Sequence, residues 1–315
     1  MHFLIPFAAS DSPACRAALK NLALPCLTRL LRLLEVLAPD LGDQHSLTPP
    51  HERALARAHA VPDTDGRVPW AAWQVAQDPT QPPNNDAWAW VTPCHFTVQS
   101  DTITLNDPAA LQLGLDEAQA LVAAMQPFWA EDGLQLSAAE PQRWLARGPW
   151  FADLASASLD RVVGRDLSQW LPSGSFALAL RRLMSEMQML LYQHPLFDAR
   201  LQRGQTPVNA LWVSGCGAWP AARTAQRAAD LQVDARLRQP ALDDDAKAWV
   251  NAWQALDAGP LQQMLQAQQR GADVTLTLCG ERAAQRLVSG GSPSVWQRFH
   301  RLFERQRASH LLEQL

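Results

Sequence analysis

The hydrophobic pattern opens with a short apolar run at residues 2–9, His-Phe-Leu-Ile-Pro-Phe-Ala-Ala, closed by Ser10-Asp11-Ser12-Pro13. A run of that length reads as a buried strand beginning a sheet. Leu24, Leu27, Leu30, Leu31, Leu34 and Leu37 then recur at helical spacing, with Pro25 near the helix start and Arg29 and Arg32 off the stripe. Strand, loop and helix in that order predict an α/β unit. Pro49-Pro50 leads into a second helix. Residues 62–88 are rich in Pro, Asp, Asn and Gln, with Trp70, Trp73 and Trp88 interspersed. They read as a long surface segment ending near a domain boundary.

From Trp90 the pattern changes. Cys94 to Val98 and Thr102 to Leu105 predict a hairpin around Gln99-Ser100-Asp101. Ala118, Leu121, Val122, Met125, Phe128 and Trp129 mark a helix capped by Asp116 and broken by Gly133. Leu134–Leu136 and Gln142–Leu145 read as extended, and 153–172 as mostly loop. A long amphipathic helix from Phe176 to Leu191 delivers the chain to His194-Pro195. A charged turn with Asp198, Arg200, Arg203 and Gly204 follows. An apolar strand, Ala210 to Val213, then runs into a glycine loop, Ser214-Gly215-Cys216-Gly217. Ligands of open α/β sheets bind beyond strand C-termini, and glycine there lets backbone N–H groups approach an anion. Further on, the pattern predicts a helix from Pro220 to about Leu231, helices over Leu242–Asp257 and Leu261–Arg270, a strand over Val274–Leu278, and a final helix over 294–314. Asp243-Asp244-Asp245 reads as a solvated helix start.

Composition narrows the class. At 315 residues, 47% apolar and 18% charged, the chain has enough apolar sequence for one large or two moderate domains. A net charge of −4 argues against a dedicated nucleic-acid binder. Arg298, Arg301 and Arg305 form a basic face on the last helix that reads as solvated. Of 27 basic residues only Lys20 and Lys247 are lysines. Arginine pairs bidentately with carboxylate and phosphate. Five cysteines without a CxxC pair suggest free thiols in a reducing compartment. No signal peptide and no membrane-spanning stretch are evident, so a cytoplasmic location without membrane contact is expected.

The order His194-Pro195, Arg200, Gly204, Asn209 and Gly215-x-Gly217 resembles the junction between substrate domain and core in the cofactor-independent, archaeal-type phosphoglycerate mutases. Those are metal-dependent relatives of alkaline phosphatase. The resemblance implies an α/β chain with an alkaline-phosphatase-like core sheet and helices on both faces. The core would be residues 1–89 and 208–315, with an inserted α+β substrate-type domain at 90–207. His95, Arg161, Arg165, His194, Arg200 and Asn209 stand nearest the family's substrate-side positions, and Ser214, Gly215 and Gly217 make the anion loop. The family tends to carry an arginine before those glycines, where this chain has Ser214.

Three departures bear on chemistry. The family holds two divalent ions with an Asp after the first strand and a His/Asp cluster near the C-terminus. Here only Asp11 follows strand one, and beyond His194 the histidines are His300 and His310. The family's serine nucleophile opens a helix in a Pro-Gly-Ser-Asp stretch. Here that stretch aligns with Pro49-Pro50-His51-Glu52, so His51 replaces the serine, and a histidine can accept a phosphoryl group. The expectation is a degenerate relative that binds a phosphorylated small molecule or anion in a two-domain cleft, with no metal and no other cofactor. The competing class is an active enzyme, either a mutase with rearranged ligands or a phosphohistidine phosphotransferase. A third is a protein-interaction module using the Trp-rich segment 70–90.

Overall fold

A computed structural model describes residues 1–80, 85–290 and 308–315. In chain order the elements begin with β1 (His2–Ile5), α1 (Pro13–Leu19), α2 (Pro25–Leu33), β2 (Glu35–Val36), β3 (Asp40–Leu41), α3 (Pro50–Ala58) and α4 (Trp70–Val75). Then come β4 (Ala87–Cys94), β5 (Phe96–Val98), β6 (Ile103–Leu105), α5 (Leu115–Glu131), β7 (Gln135–Ser137), β8 (Trp144–Arg147), α6 (Leu159–Val162), α7 (Ala177–Gln193) and α8 (Pro195–Gln202). The last are β9 (Ala210–Ala218), β10 (Leu231–Val233), α9 (Arg238–Leu242), α10 (Ala246–Leu256), α11 (Gln262–Gln269), β11 (Thr275–Cys279), β12 (Ala283–Val288) and α12 (Ala308–Glu313). The fold is mixed α/β. The helix expected over 294–314 lies largely outside the described residues.

The chain forms two compact units: residues 1–44, 49–58 and 228–315, and residues 45–48 and 59–227. Residues 59–89 and 208–227, which the sequence assigned to the core, belong to the second unit.

The first unit is built on a mixed sheet in the order β10-β1-β11-β12-β2, with β3 also on β12. The strands β10, β1 and β11 run parallel, and β12 runs antiparallel to its neighbours. Side chains alternate across a strand. Phe3, Ile5, Leu276, Leu278 and Leu287 therefore share one face, buried with residues of α1, α2, α10 and α11. Leu4, Cys279 and Ala284 lie on the other face, against Ala54 and Leu55 of α3. The N-terminus of α2 has no local side-chain cap. Asp257, from the π turn Asp257–Leu261, supplies one, accepting from Cys26 N at 3.0 Å and Leu27 N at 2.8 Å. That turn carries Gly259 and Pro260 through without ending the helical path, so the two helices expected over 242–270 are joined.

The second unit has an antiparallel sheet, β7-β8-β4-β9, and a separate β5-β6 hairpin. The alternating Ala87, Ala89 and Val91 of β4 pack with Leu121, Met125 and Trp129 of α5 and Leu183 and Met187 of α7.

Three expectations are corrected here. The "surface" segment 62–88 contains α4, whose Trp70 and Trp73 are buried, and the start of β4. No helix runs from Pro220 to Leu231, where turns lead into β10. Residues 214–217 are not a loop. They continue β9 through a bulge, because Trp90 pairs with Ser214 but Trp88 with Gly217. One extra residue flips the side-chain parity, which is why Leu211, Val213 and Cys216 all reach the same core.

Candidate functional site

The end of β1 and the start of α3 are where the resemblance puts the family's first metal ligand and its nucleophile. Phe7, in the left-handed region at φ 55°, turns the chain after the strand. The Phe7 carbonyl accepts a hydrogen bond from Trp249 Nε1 at 3.1 Å, and the Ala8 carbonyl from Trp253 Nε1 at 3.2 Å. Ala8 N donates to the Cys279 carbonyl at 2.8 Å. Residues Phe7 to Ser10 are all buried. Buried tryptophan is apolar in body with one N–H that needs an acceptor, and here the acceptors are the turn's own carbonyls. The two indoles pack edge to face, with ring centroids 6.2 Å apart.

Against this plug sits His51, buried in the first turn of α3, its ring centroid 5.3 Å from that of Phe7. Arg53, two residues along, is also buried and bonds Asp40 at 3.1 Å. Cys279 is buried beside them. Burial first, and Asp40 second, push its thiol far up, with Arg53 opposing. It is an inert thiol, because only a thiolate is nucleophilic.

Two divalent ions need several converging carboxylate or imidazole ligands. The residues here do not fit. Phe7, Ala8, Ala9 and Ser10 offer no carboxylate, and Asp11 is bound to Arg16 and, at 3.0 Å, to Arg282. Asp245 caps α10 by accepting from Ala248 N at 2.9 Å. No group of three or more His, Cys, Asp or Glu converges among the described residues.

The other residues singled out by sequence lie in the second unit. Two of them hold the backbone of 206–207, and Asn209 follows just beyond it. Arg200 Nε donates to the Thr206 carbonyl at 2.9 Å, and His95 Nδ1 lies 2.9 Å from the Pro207 carbonyl oxygen. Asn209 accepts from Phe96 N at 2.6 Å, donates to Phe96 O at 2.9 Å and reaches the Tyr192 hydroxyl at 3.1 Å. The rest of the Arg200 fork bonds Glu117 and the Leu111 carbonyl, and its side chain is 1% exposed. Arg203 bonds the same carboxylate at 2.5 Å. His194 is the N-cap of α8, accepting from Leu196 N at 3.2 Å through Nδ1, and burial lowers its pKa. A protonated Nδ1 cannot accept, so cap and depressed pKa agree. Arg161 is buried in α6, and Arg165 lies half-buried beyond it.

The glycines are set by packing. Gly215 has φ +63°, and a methyl group added there would lie 3.0 Å from the Trp90 ring and 3.3 Å from Trp70. At Gly217 the added methyl would lie 2.7 Å from Pro69 Cβ. The Pro69–Trp70 backbone thus lies close against the bulge. Buried beside it, the Cys216 thiol is pushed up to about 12 by desolvation.

Sequence reasoning missed Asp257, Trp249 and Trp253. A carboxylate before Gly-Pro and paired Trp at i and i+4 were the available signals. No helix among the described residues is long and apolar enough to cross a membrane.

No family model matches the chain. Over 122 residues it is 28% identical to a probable 2,3-bisphosphoglycerate-independent phosphoglycerate mutase of Geobacter sulfurreducens. The chain resembles the cofactor-independent phosphoglycerate mutases, as a divergent relative. The match covers 38% of this chain and 30% of that mutase, well under two thirds of its length. Two solved structures are also similar at 13% identity. One, from Pyrococcus horikoshii, has a TM-score of 0.45 and covers 93% of this chain and 88% of its own. The other, a cofactor-independent phosphoglycerate mutase from Thermoplasma acidophilum, has a TM-score of 0.36, covering 93% of this chain and 91% of its own.

Proposed function

We propose that this mutase-like chain binds a phosphorylated small molecule without the dimetal catalysis of its relatives. The observation that carries the reading is the turn after β1. Its buried residues bring no carboxylate, and two tryptophans hold its carbonyls. Dimetal phosphoryl transfer needs ions to activate the nucleophile and neutralise the moving charge, and this donor set does not supply ligands for them.

The test is metal analysis of the full-length protein together with a mutase assay in added manganese. The reading expects sub-stoichiometric metal and no interconversion of 2- and 3-phosphoglycerate. Robust activity abolished by a chelator would overturn it.

One observation favours a second reading, phosphotransfer through His51. The residue stands in the first turn of α3, beside the turn after β1. An acid-labile phosphoryl adduct lost in His51→Ala would support it. Burial of the ring against Phe7 weighs on the other side.

A further inference from the structure

The sheet of the first unit has a face that α3 covers only in part. Next to the apolar patch of Leu4, Cys279 and Ala284 lies a cleft of about 490 Å³, lined in part by His2, Asp40, Arg57, Asp230, Thr277 and Arg286. Small-molecule sites commonly measure roughly 300–1,000 Å³, with apolar walls and a few convergent polar groups. The remaining walls are mostly alanine and leucine.

We propose that this cleft binds a small organic phosphate, with the Arg286 guanidinium as its principal anchor and Thr277 and His2 beside it.

The geometry supports each role. Arg286 on β12 stands directly opposite Thr277 on β11 in the antiparallel register, so both point from the same face. The Thr277 hydroxyl lies 2.8 Å from His2 Nε2, which fixes the imidazole along the cleft floor. The partnering of the charges separates the two arginines. Arg57 is held by Asp40, which also binds Arg53, at 3.0 and 3.1 Å. Arg286 is exposed and makes no ion pair among the described residues. Asp230 is the one carboxylate of the lining that acts against an anion there. The lining balances Arg57 and Arg286 against Asp40 and Asp230, and Arg53 behind it adds a further cation to Asp40. A planar guanidinium without a partner suits a phosphate, which it can grip through two N–H groups. Burial, then the charge of Arg286, then the N-terminal ammonium lower the His2 pKa to about 4. His2 is therefore neutral near pH 7 and contributes hydrogen bonding rather than charge.

This proposal rests on the reading above only for its ligand class. It locates the ligand away from His51 and the turn after β1. Inorganic phosphate and 3-phosphoglycerate are the probes, titrated into full-length protein by calorimetry, with the His2 imidazole resonances followed by NMR. The expected result is saturable binding at millimolar concentration or below, a shift of the His2 resonances, and at least tenfold weaker binding in Arg286→Gln. Arg181→Gln, a control on α7, should bind as wild type does. Arg286 is exposed, so the variant should fold, and an unchanged melting temperature without ligand checks that. Tighter binding of 3-phosphoglycerate than of inorganic phosphate supports an organic ligand. Equal binding of both overturns the organic part of the proposal. Equal binding by wild type and Arg286→Gln, or no binding by wild type, overturns the site. Metal-dependent mutase activity alongside an Arg286-dependent site would sink the non-catalytic reading and leave the site standing.

Discussion

Arg200 decides whether an arginine flagged by sequence order holds ligand or holds the fold. The perturbation is Arg200→Met, which keeps the apolar stem and removes the guanidinium. That loss leaves the Leu111 and Thr206 carbonyls without their donor. A buried acceptor left unsatisfied costs about 1–3 kcal/mol. Glu117 loses its buried partner but keeps Arg203 and partial exposure, which limits its own penalty. Breaking a buried charge pair typically costs about 3–5 kcal/mol, which falls within the roughly 2–6 kcal/mol that two stranded carbonyls give. For a unit of this size each kcal/mol moves Tm by about 2–4 °C, so a drop of about 6–20 °C is expected. Thermal melting by circular dichroism measures it. A cycle with Glu117→Gln should show coupling, because the two side chains touch. Were Arg200→Met to melt within about 1 kcal/mol of wild type while losing affinity for phosphate ligands, the structural reasoning would be refuted.

Four shorter expectations follow from other contacts. Gly217→Val should destabilise the second unit even without ligand, because its Cβ would meet Pro69 Cβ at 2.7 Å; melting unchanged from wild type would contradict the packing account of that glycine. Asp257→Ala removes the acceptor for Cys26 N and Leu27 N and should cost about 1–2 kcal/mol in chemical denaturation, the usual worth of a helix cap. Trp253→Phe keeps most of the ring but strands the Ala8 carbonyl, so a loss of about 1–3 kcal/mol is expected by the same assay. For pH, His2 binds its proton less readily folded than unfolded, at about 4 against 6.5. It makes no difference above pH 6.5, and stability falls as pH drops from there toward 4, where the unfolded chain binds more protons. Discounted for partial exposure, the effect is on the order of 1–2 kcal/mol. His59 and His194 shift in the same direction, so His2→Gln should flatten that slope in part, and an unchanged slope would count against the assignment.

Much of the secondary structure was legible where periodicity is governed by one dominant face. Most of the stripe from Leu24 to Leu37 is α2, which ends at Leu33 ahead of β2, the Ala118–Trp129 pattern is α5, and Phe176–Leu191 is α7. The β5-β6 hairpin and β11 were equally plain. What failed to show was structure whose reason lies far away in the chain. The first unit's α2 is capped by a carboxylate 230 residues on. In β4, alanine alternates with tryptophan because α5 and α7 pack on the alanine face, while Trp90 Nε1 bonds Gln74 of α4 at 2.9 Å. Polar composition around α4 concealed a buried helix, since only five residues carry the apolar load. Ser-Gly-Cys-Gly looks like a loop to any local rule, yet a bulge needs the same left-handed glycine as a loop does. Only the pairing with Trp88 and Trp90 separates the two.

The candidate site was less legible, and the arginines show why. Choosing arginines by their order along the chain selects for positions, whereas ligand binding depends on whether the guanidinium is already satisfied. Arg200 stood at a family-like position, but Glu117 and two backbone carbonyls occupy its fork. Arg286 carried no motif at all. It sits in an alternating strand where an exposed arginine reads as ordinary solvation. What distinguishes it is a register that sets it over Thr277 and a neighbourhood in which Asp40 is already shared by Arg53 and Arg57. Neither property is local in sequence. A buried carboxylate gains most from an arginine that is pre-organised beside it, and an incoming phosphate gains most from one that is not yet paired. The same residue type therefore serves both ends: the Arg200 fork is taken up by Glu117 and two backbone carbonyls, whereas Arg286 makes no ion pair among the described residues.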